Sequence, residues 1–293
     1  MAFDTNYVSP FIVLMTSVFI NNKNRKLHIH VILSEATAAQ KGQLEKFIKR
    51  SGGTITFYEV SPALLYGLKA PKDSHITIAT FYRLFLPQLV PASVEKLLYL
   101  DPDIITLADL SGLYNTPMNG FALAAVPEIN QAWVRSDLGF TKKEDYFNAG
   151  VMLINVKEWI NQKITERAVV YARNNHDTIV WADQDALNGV VFGNFLKLPA
   201  RFNVLHFDVP EDLSRKAYER FLSDKIIVHF TNVKHKPWSK TTKSRLRYVY
   251  MYYLSRSPRW PERFLLDFKY YTVRLRRNFR RRLTKRAIIS TAL

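Results

Sequence analysis

Short runs of strand-forming residues recur along this chain, each separated from the next by a stretch of helical character. The runs are LHIHVIL (27–33), TITFYEV (54–60), KLLYLDPDIITL (96–107), FALAAV (121–126), GVMLINV (150–156) and KIIVHF (225–230). Helical patterns occupy residues 8–21, 37–51, 78–89 and 163–175. Strands that alternate with helices, and that read as continuous apolar runs, predict an α/β fold: a mostly parallel, Rossmann-like sheet buried between helices. Ligands of open α/β sheets sit outside the carboxyl ends of strands. Two polar features fall at such ends, Asp101-Pro102-Asp103 and His229.

The two carboxylates are the sharper feature, because ionised carboxylates inside an apolar segment need a cation or hydrogen bonds to offset their desolvation. The residues alone leave two readings open. Asp before Pro is good turn chemistry. Alternatively, residues i and i+2 of an extended chain point to one side, so Asp101 and Asp103 can share a hard divalent cation such as Mg²⁺ or Mn²⁺. His229 is either a hydrogen-bonded core residue or a nitrogen ligand of that site, which would favour Mn²⁺. Lys236, seven residues on, is either a solvated loop lysine or a mobile charge for a metal-bound phosphate.

Two further stretches carry chemistry. DYFNAGVMLINV (145–156) sets Asn148-Ala149-Gly150 just before a strand, as a turn or as a close approach to a ligand. The Asn148 amide suits a sugar hydroxyl. WADQDALNGV (181–190) reads as a helix start with Asp183 as candidate N-cap. Residues two apart on a helix do not share a face, so Asp183 and Asp185 are expected to do different jobs. Gln184 lies between them, an amide suited to hydroxyl recognition.

Charge is unevenly spread. Residues 240–293 carry 16 Lys/Arg against Glu262 and Asp267, whereas the other 239 residues carry 26 basic and 23 acidic groups. The net charge of +17 therefore belongs mostly to a tail, which points to an anionic surface as its partner. A nucleic-acid partner is not expected, since the body is nearly neutral and the tail lacks a recognition motif. There are no cysteines, which excludes disulfides, thiolate zinc sites and cysteine nucleophiles. The apolar run VSPFIVLMTSVFI (8–20) lacks a basic n-region and a cleavage site and is too short to span a bilayer, so a core helix and a cytoplasmic protein are expected.

Taken in order, HITIATFYRL, YLDPDII, YFNAGVMLIN, DQDALNG, RFN and HF…KPW resemble glycosyltransferase family 8 over residues 1–240. The likeness is strongest to its bacterial lipopolysaccharide galactosyl- and glucosyltransferases. The resemblance implies a GT-A fold, a UDP-galactose or UDP-glucose donor, a lipopolysaccharide or other lipid-linked glycan acceptor, Mn²⁺ (or Mg²⁺), and retention of anomeric configuration. By position it makes Asp101, Asp103 and His229 the metal ligands, with Asp101 also against the donor. Ala2, Asp4 and Asn6 would contact uridine. Arg83, Asn148, Ala149, Asp183 and Gln184 would hold the donor sugar, and Lys236 the departing diphosphate. His75 and Glu128 match acceptor-side positions. Gln184 stands at the place of the family's candidate nucleophile, so Gln184 and Asp183 are the candidate catalytic pair. A neutral amide is a poor nucleophile, which favours same-face attack by the acceptor hydroxyl.

Three departures accompany the likeness. Only Met1 to Phe3 precede the donor loop, so the first strand should be short or absent. Asn232 replaces the family's Gly three residues after the metal His, and the loop from His229 to KPW is one residue longer. The alternative function is therefore a UDP-sugar-binding homologue with lost or weak turnover. The expected organisation is a catalytic domain at 1–240 and a basic helical tail at 241–293. In the tail, Phe264, Phe268, Tyr271, Leu275, Phe279 and Leu283 recur at helical spacing, with Arg274, Arg276, Arg277 and Arg280 to Arg282 on the remaining surface. That pattern is read either as a helix packed on the body with a solvated basic face or, the favoured reading, as an interfacial helix on the inner face of a bacterial membrane.

Overall fold

The computed structural model describes residues 1–71 and 77–274. Nine strands are present among them: β1 (Ala2–Phe3), β2 (His28–Leu33), β3 (Thr54–Tyr58), β4 (Lys96–Leu100), β5 (Ile104–Thr106), β6 (Leu123–Pro127), β7 (Phe147–Asn155), β8 (Leu196–Lys197) and β9 (Ile227–His229). β1, β2 and β3 form a parallel sheet in that order. A second sheet runs β4-β7-β6-β8, and a third pairs β5 with β9. Strand direction is mixed: β6–β8 is parallel, whereas β4–β7, β6–β7 and β5–β9 are antiparallel. β7 is covered on both faces all the same; eight of its nine residues are buried. As expected, β1 is short, only two residues.

Local chemistry explains where elements begin and end. The helix Val8–Asn21 is apolar on nearly every side and sits inside the core. The helix Ala38–Arg50 opens on a capping box, Thr37 with Gln40, and ends before Gly52 at φ +88. The helix expected over 78–89 is instead a 3₁₀ segment, Ile78–Leu84, followed by a single α turn, Leu86–Leu89. Pro87 cannot donate to the carbonyl four residues back, so it is accommodated only at a new helix start. The run KLLYLDPDIITL likewise divides at Pro102, and its halves β4 and β5 join different sheets.

Three apolar clusters fill the interior. One lies between the central sheet and the helices Ile164–Asn174 and Asp183–Val191, around Trp159, Phe81 and Phe147. A second packs the helix Val8–Asn21 against β2 and β7. The third joins β5 and β9 to the helix Arg247–Leu254 through Val13, Ile105, Val228, Tyr250 and Leu254. Residues 246–254, on the tail side of position 240, are thus part of this packed interior.

The helix at 262–274 has two unlike faces. Its inner face is fastened: Leu266 packs on the third cluster, Asp267 pairs with Arg247 at 2.7 Å, and Glu262 accepts from Ser9 at 2.6 Å. Its outer face leaves Phe264, Phe268 and Tyr271 68%, 70% and 56% exposed. Leu275, Phe279, Leu283 and the arginines from Arg276 onward lie outside the described residues. No described helix is long and apolar enough to cross a membrane.

Candidate active site

The break at Pro102 builds the centre of the site. Asp101 stays tied to the second sheet, its N–H donating to the Gly150 carbonyl at 2.8 Å, while the Asp103 carbonyl accepts from Phe230 at 3.0 Å. The two carboxylates therefore meet His229, the last residue of β9, with one ligand atom of each residue within 4.8 Å of the others. His229 Nε2 stands 3.1 Å from Asp103 and 3.7 Å from Asp101. On the other ring edge, Nδ1 is 3.1 Å from the Asn203 side-chain oxygen. That oxygen can only accept, so Nδ1 carries a proton, and Nε2 is the ring nitrogen that faces the two carboxylates. Two carboxylate oxygens and one imidazole nitrogen make a donor set that fits a divalent cation.

Gly150 is required here for space. A Cβ at this position would lie 2.1 Å from the His229 ring and 2.8 Å from Asp101. Asn148, Ala149 and Gly150 therefore lie inside β7, where a turn just before the strand was expected. The strand starts early because Phe147 pairs with Pro127 across a register shift in β6.

Charges around the carboxylates are matched. Arg83 is buried and reaches Asp101 at 3.0 Å, Asp183 at 2.8 Å and the Ala149 carbonyl at 2.9 Å. Burial alone would lower the pKa of its guanidinium; Asp101 and Asp183 overcome that and raise it. Lys236 is 7% exposed and pairs with Asp103, between the rings of Tyr7 and Trp238 at 5.8 and 5.7 Å. Burial would raise the Asp103 carboxyl, but Lys236 and His229 hold it well below the usual carboxylate range.

Behind this centre runs a hydrogen-bonded chain. Asn203 donates to Asn148 at 3.0 Å, and Asn148 donates to Glu128 at 2.9 Å and to Gln184 at 3.0 Å. Gln184 also accepts from the Ala149 N–H at 3.2 Å and donates to Tyr146 at 3.1 Å. Glu128 is 5% exposed, and burial pushes its carboxyl up to about 7.

Asp183 and Asp185 do divide their work. Asp183 accepts from Thr80 at 2.5 Å and faces Arg83. Asp185 accepts from the N–H groups of Val180 and Trp181 at 2.7 and 2.8 Å and pairs with Arg135 and Tyr146. Asp183 is not the N-cap: the helix begins at Asp183, and the cap position falls to Ala182 at φ 45. A positive φ at alanine is strained by about 1–3 kcal/mol. Asp185 holds the strained corner, which aims Gln184 at Asn148.

Ala2, Asp4 and Asn6 follow one another at the end of β1, where Asp4 caps the turn Thr5–Tyr7 by accepting from the Asn6 N–H. His75 lies outside the described residues. Asn232 sits at an ordinary φ of −88 and caps the turn Val233–His235, so its position does not demand glycine. Sequence reasoning missed Arg135, Tyr146 and Tyr99, whose hydroxyl donates to Asp101 at 3.0 Å. It quoted RFN without giving Asn203 a task, although an amide two residues past an arginine is too common a pattern to single out.

The family model for glycosyl transferase family 8 matches residues 1–242. General stress protein A of Bacillus subtilis (strain 168) is 31% identical over 263 residues, 86% of this chain and 91% of that protein. The chain belongs to glycosyltransferase family 8. A second family-8-like relative, the lipopolysaccharide 1,2-glucosyltransferase of Escherichia coli (strain K12), is 27% identical, over 81% of this chain and 71% of its own. Among solved structures, the galactosyltransferase LgtC with donor and acceptor sugar analogues superposes with a TM-score of 0.75 at 24% identity, covering 87% of this chain and 94% of LgtC. The fold of this family 8 member is GT-A, and it is a glycosyltransferase.

Proposed function

We propose that this family 8 enzyme moves galactose or glucose from UDP-galactose or UDP-glucose to a lipopolysaccharide or other lipid-linked glycan, with retention of configuration and with Mn²⁺, for which Mg²⁺ can substitute. The observation that carries the reading is the convergence of Asp101, Asp103, His229 and Lys236 at one sheet edge. Asp101, Asp103 and His229 would hold Mn²⁺, which supplies Lewis-acid neutralisation of the diphosphate. Lys236 places a nearly buried ammonium where the leaving group gains charge. Ala2, Asp4 and Asn6 hold uridine at the end of β1. Arg83, Asn148, Ala149 and Asp183 fix the hexose, with Glu128 and His75 toward the acceptor.

Retention by same-face attack is favoured by the state of Gln184. Its amide oxygen already accepts from Asn148 and Ala149, and its nitrogen donates to Glu128 and Tyr146. Both ends are thus engaged in positioning, leaving the acceptor hydroxyl as the nucleophile. UDP release from a panel of UDP-sugars, with Mn²⁺ and with chelator, tests the reading. Metal-dependent release supports it; tight UDP binding without release or transfer would support the inactive-homologue alternative.

The same proposal places the enzyme at the inner face of a bacterial membrane through the outer face of helix 262–274. Phe264, Phe268 and Tyr271 would sit below the headgroups while arginines meet anionic lipid, each worth on the order of 1 kcal/mol. Because Leu266 and Asp267 fasten the helix to the body, substituting the outward aromatics is a cleaner test than deleting 264–293.

A further inference from the structure

A cavity of about 280 Å³ borders His229 and is lined by basic side chains that the donor machinery does not use, with Glu211 among them. His206, His235, Lys243, Arg245 and Glu211 line it together with the apolar Val228 and Phe230. The two imidazoles stand 4.8 Å apart, and His206 is steered by Thr231 at 2.9 Å. Neither imidazole has a carboxylate partner among the described residues, and neither has Lys243. Asp208, the nearest acid on the same loop, is occupied by the Leu205 N–H and Asn130, both at 2.8 Å. Arg245 touches Glu211 and Asp212 only at 3.5 Å, and both acids are highly exposed, so water and salt screen those pairs. Burial, then His235, His229 and Lys236, push the His206 imidazole down to about 4; burial, Lys243 and Arg245 push that of His235 down as well. The cavity thus offers the Lys243 ammonium and two imidazoles that have no carboxylate partner among the described residues, beside a solvent-screened Arg245–Glu211 pair.

We infer that this cavity receives an anionic group, a phosphate ester or a carboxylate, carried by the acceptor sugar. It shares His229 with the metal centre, so an anion held there brings the rest of its sugar to the edge where the donor hexose lies. Lys243 and Arg245 give the long-range attraction, and the imidazole N–H groups give short directional contacts. The inference rests on the transfer reading only in assigning the anion to the acceptor.

The test uses the full chain saturated with diamagnetic Mg²⁺ and UDP, titrated with glucose 6-phosphate, glucuronate or glucose while the His206 and His235 ring signals are followed by NMR. Saturable shifts with either charged sugar and none with glucose are expected; the tighter of the two identifies the anion. The K243Q/R245Q double variant should bind the charged sugar roughly tenfold or more weakly, as loss of charge-assisted contacts requires, with unchanged UDP-sugar hydrolysis. Equal binding of glucose and glucose 6-phosphate, or charged-sugar binding that UDP abolishes, would overturn the inference. Binding without any UDP release would sink the transfer reading and leave the anion site standing. Release without binding would do the reverse.

Discussion

The sheet edge at Asp101 and the helix at 262–274 break the ordinary burial rule in opposite directions. At the edge, Asp103, Arg83, Lys236 and His229 are charged or polar and buried. On the helix, Phe264, Phe268 and Tyr271 are aromatic and exposed. The first exception is balanced within the chain, since each buried charge has an opposite charge beside it. Nothing within the described chain covers the second, and an apolar stripe rimmed by basic residues calls for a partner of another kind. On the proposed function, one region serves a small polar ligand and the other a surface.

The comparison is sharpest at Asp103. Asp103→Asn keeps the shape and removes a charged ligand, so metal-dependent UDP-sugar hydrolysis should fall by roughly a hundredfold or more. Lys236 loses its charged partner but keeps a hydrogen-bond acceptor, so circular dichroism should show an intact fold. Near-normal turnover would dissolve the metal assignment.

Gly150→Ala comes next. The added methyl cannot coexist with the His229 ring in its present place, and overpacking of this kind costs about 1–3 kcal/mol. Apparent Mn²⁺ affinity, read by activity against metal concentration, should drop along with thermal stability. An unaltered metal titration would show that the close approach of β7 to His229 is unimportant.

Glu128 tests the buried network by pH. Its folded carboxyl is raised from 4.5 to about 7, so the native state holds the proton longer than the unfolded chain. Stability should be fullest below the unfolded value and decline as pH rises through that window, by up to about 3 kcal/mol. Glu128→Gln should flatten the decline. Parallel melting-temperature curves for the two proteins between pH 5 and 8 would contradict the shift.

The smallest effect is expected at the other region. Replacing Phe264, Phe268 and Tyr271 with Ser should leave UDP-sugar hydrolysis unchanged and weaken binding to anionic vesicles, in a manner already reduced by salt. Equal sedimentation with vesicles would remove the surface reading and leave the stripe unexplained.

How much of this could be read from residues follows the same division. The D-P-D carboxylates and His229 were legible because buried carboxylates and a strand-end imidazole are chemically conspicuous, and the structure brings them together; the break between sheets at Pro102 was not. The aromatic stripe was legible because its spacing is helical. Strand direction was not, since an apolar run such as β7 reports that both faces are covered and says nothing of its neighbours' sense. Nor was the 3₁₀ form of Ile78–Leu84, whose apolar spacing suits either helix until Pro87 is weighed. Arg135 carried no signal: it comes 50 residues before Asp185, and only the fold makes them neighbours.

The link between Ser9 and Glu262 gives the two regions a common mechanics. Ser9 opens the helix that directly follows the loop Asp4–Tyr7, and Glu262 begins the helix with the exposed stripe. A stripe mounted this way behaves as a stand of fixed height, unlike a flexible leash. With that stand on a bilayer, the sugar-transferring edge would work at one set elevation. Acceptors would then be selected by how far their reactive hydroxyl stands above the lipid, so a glycan one residue too short or too long would pass beneath or beyond the blade.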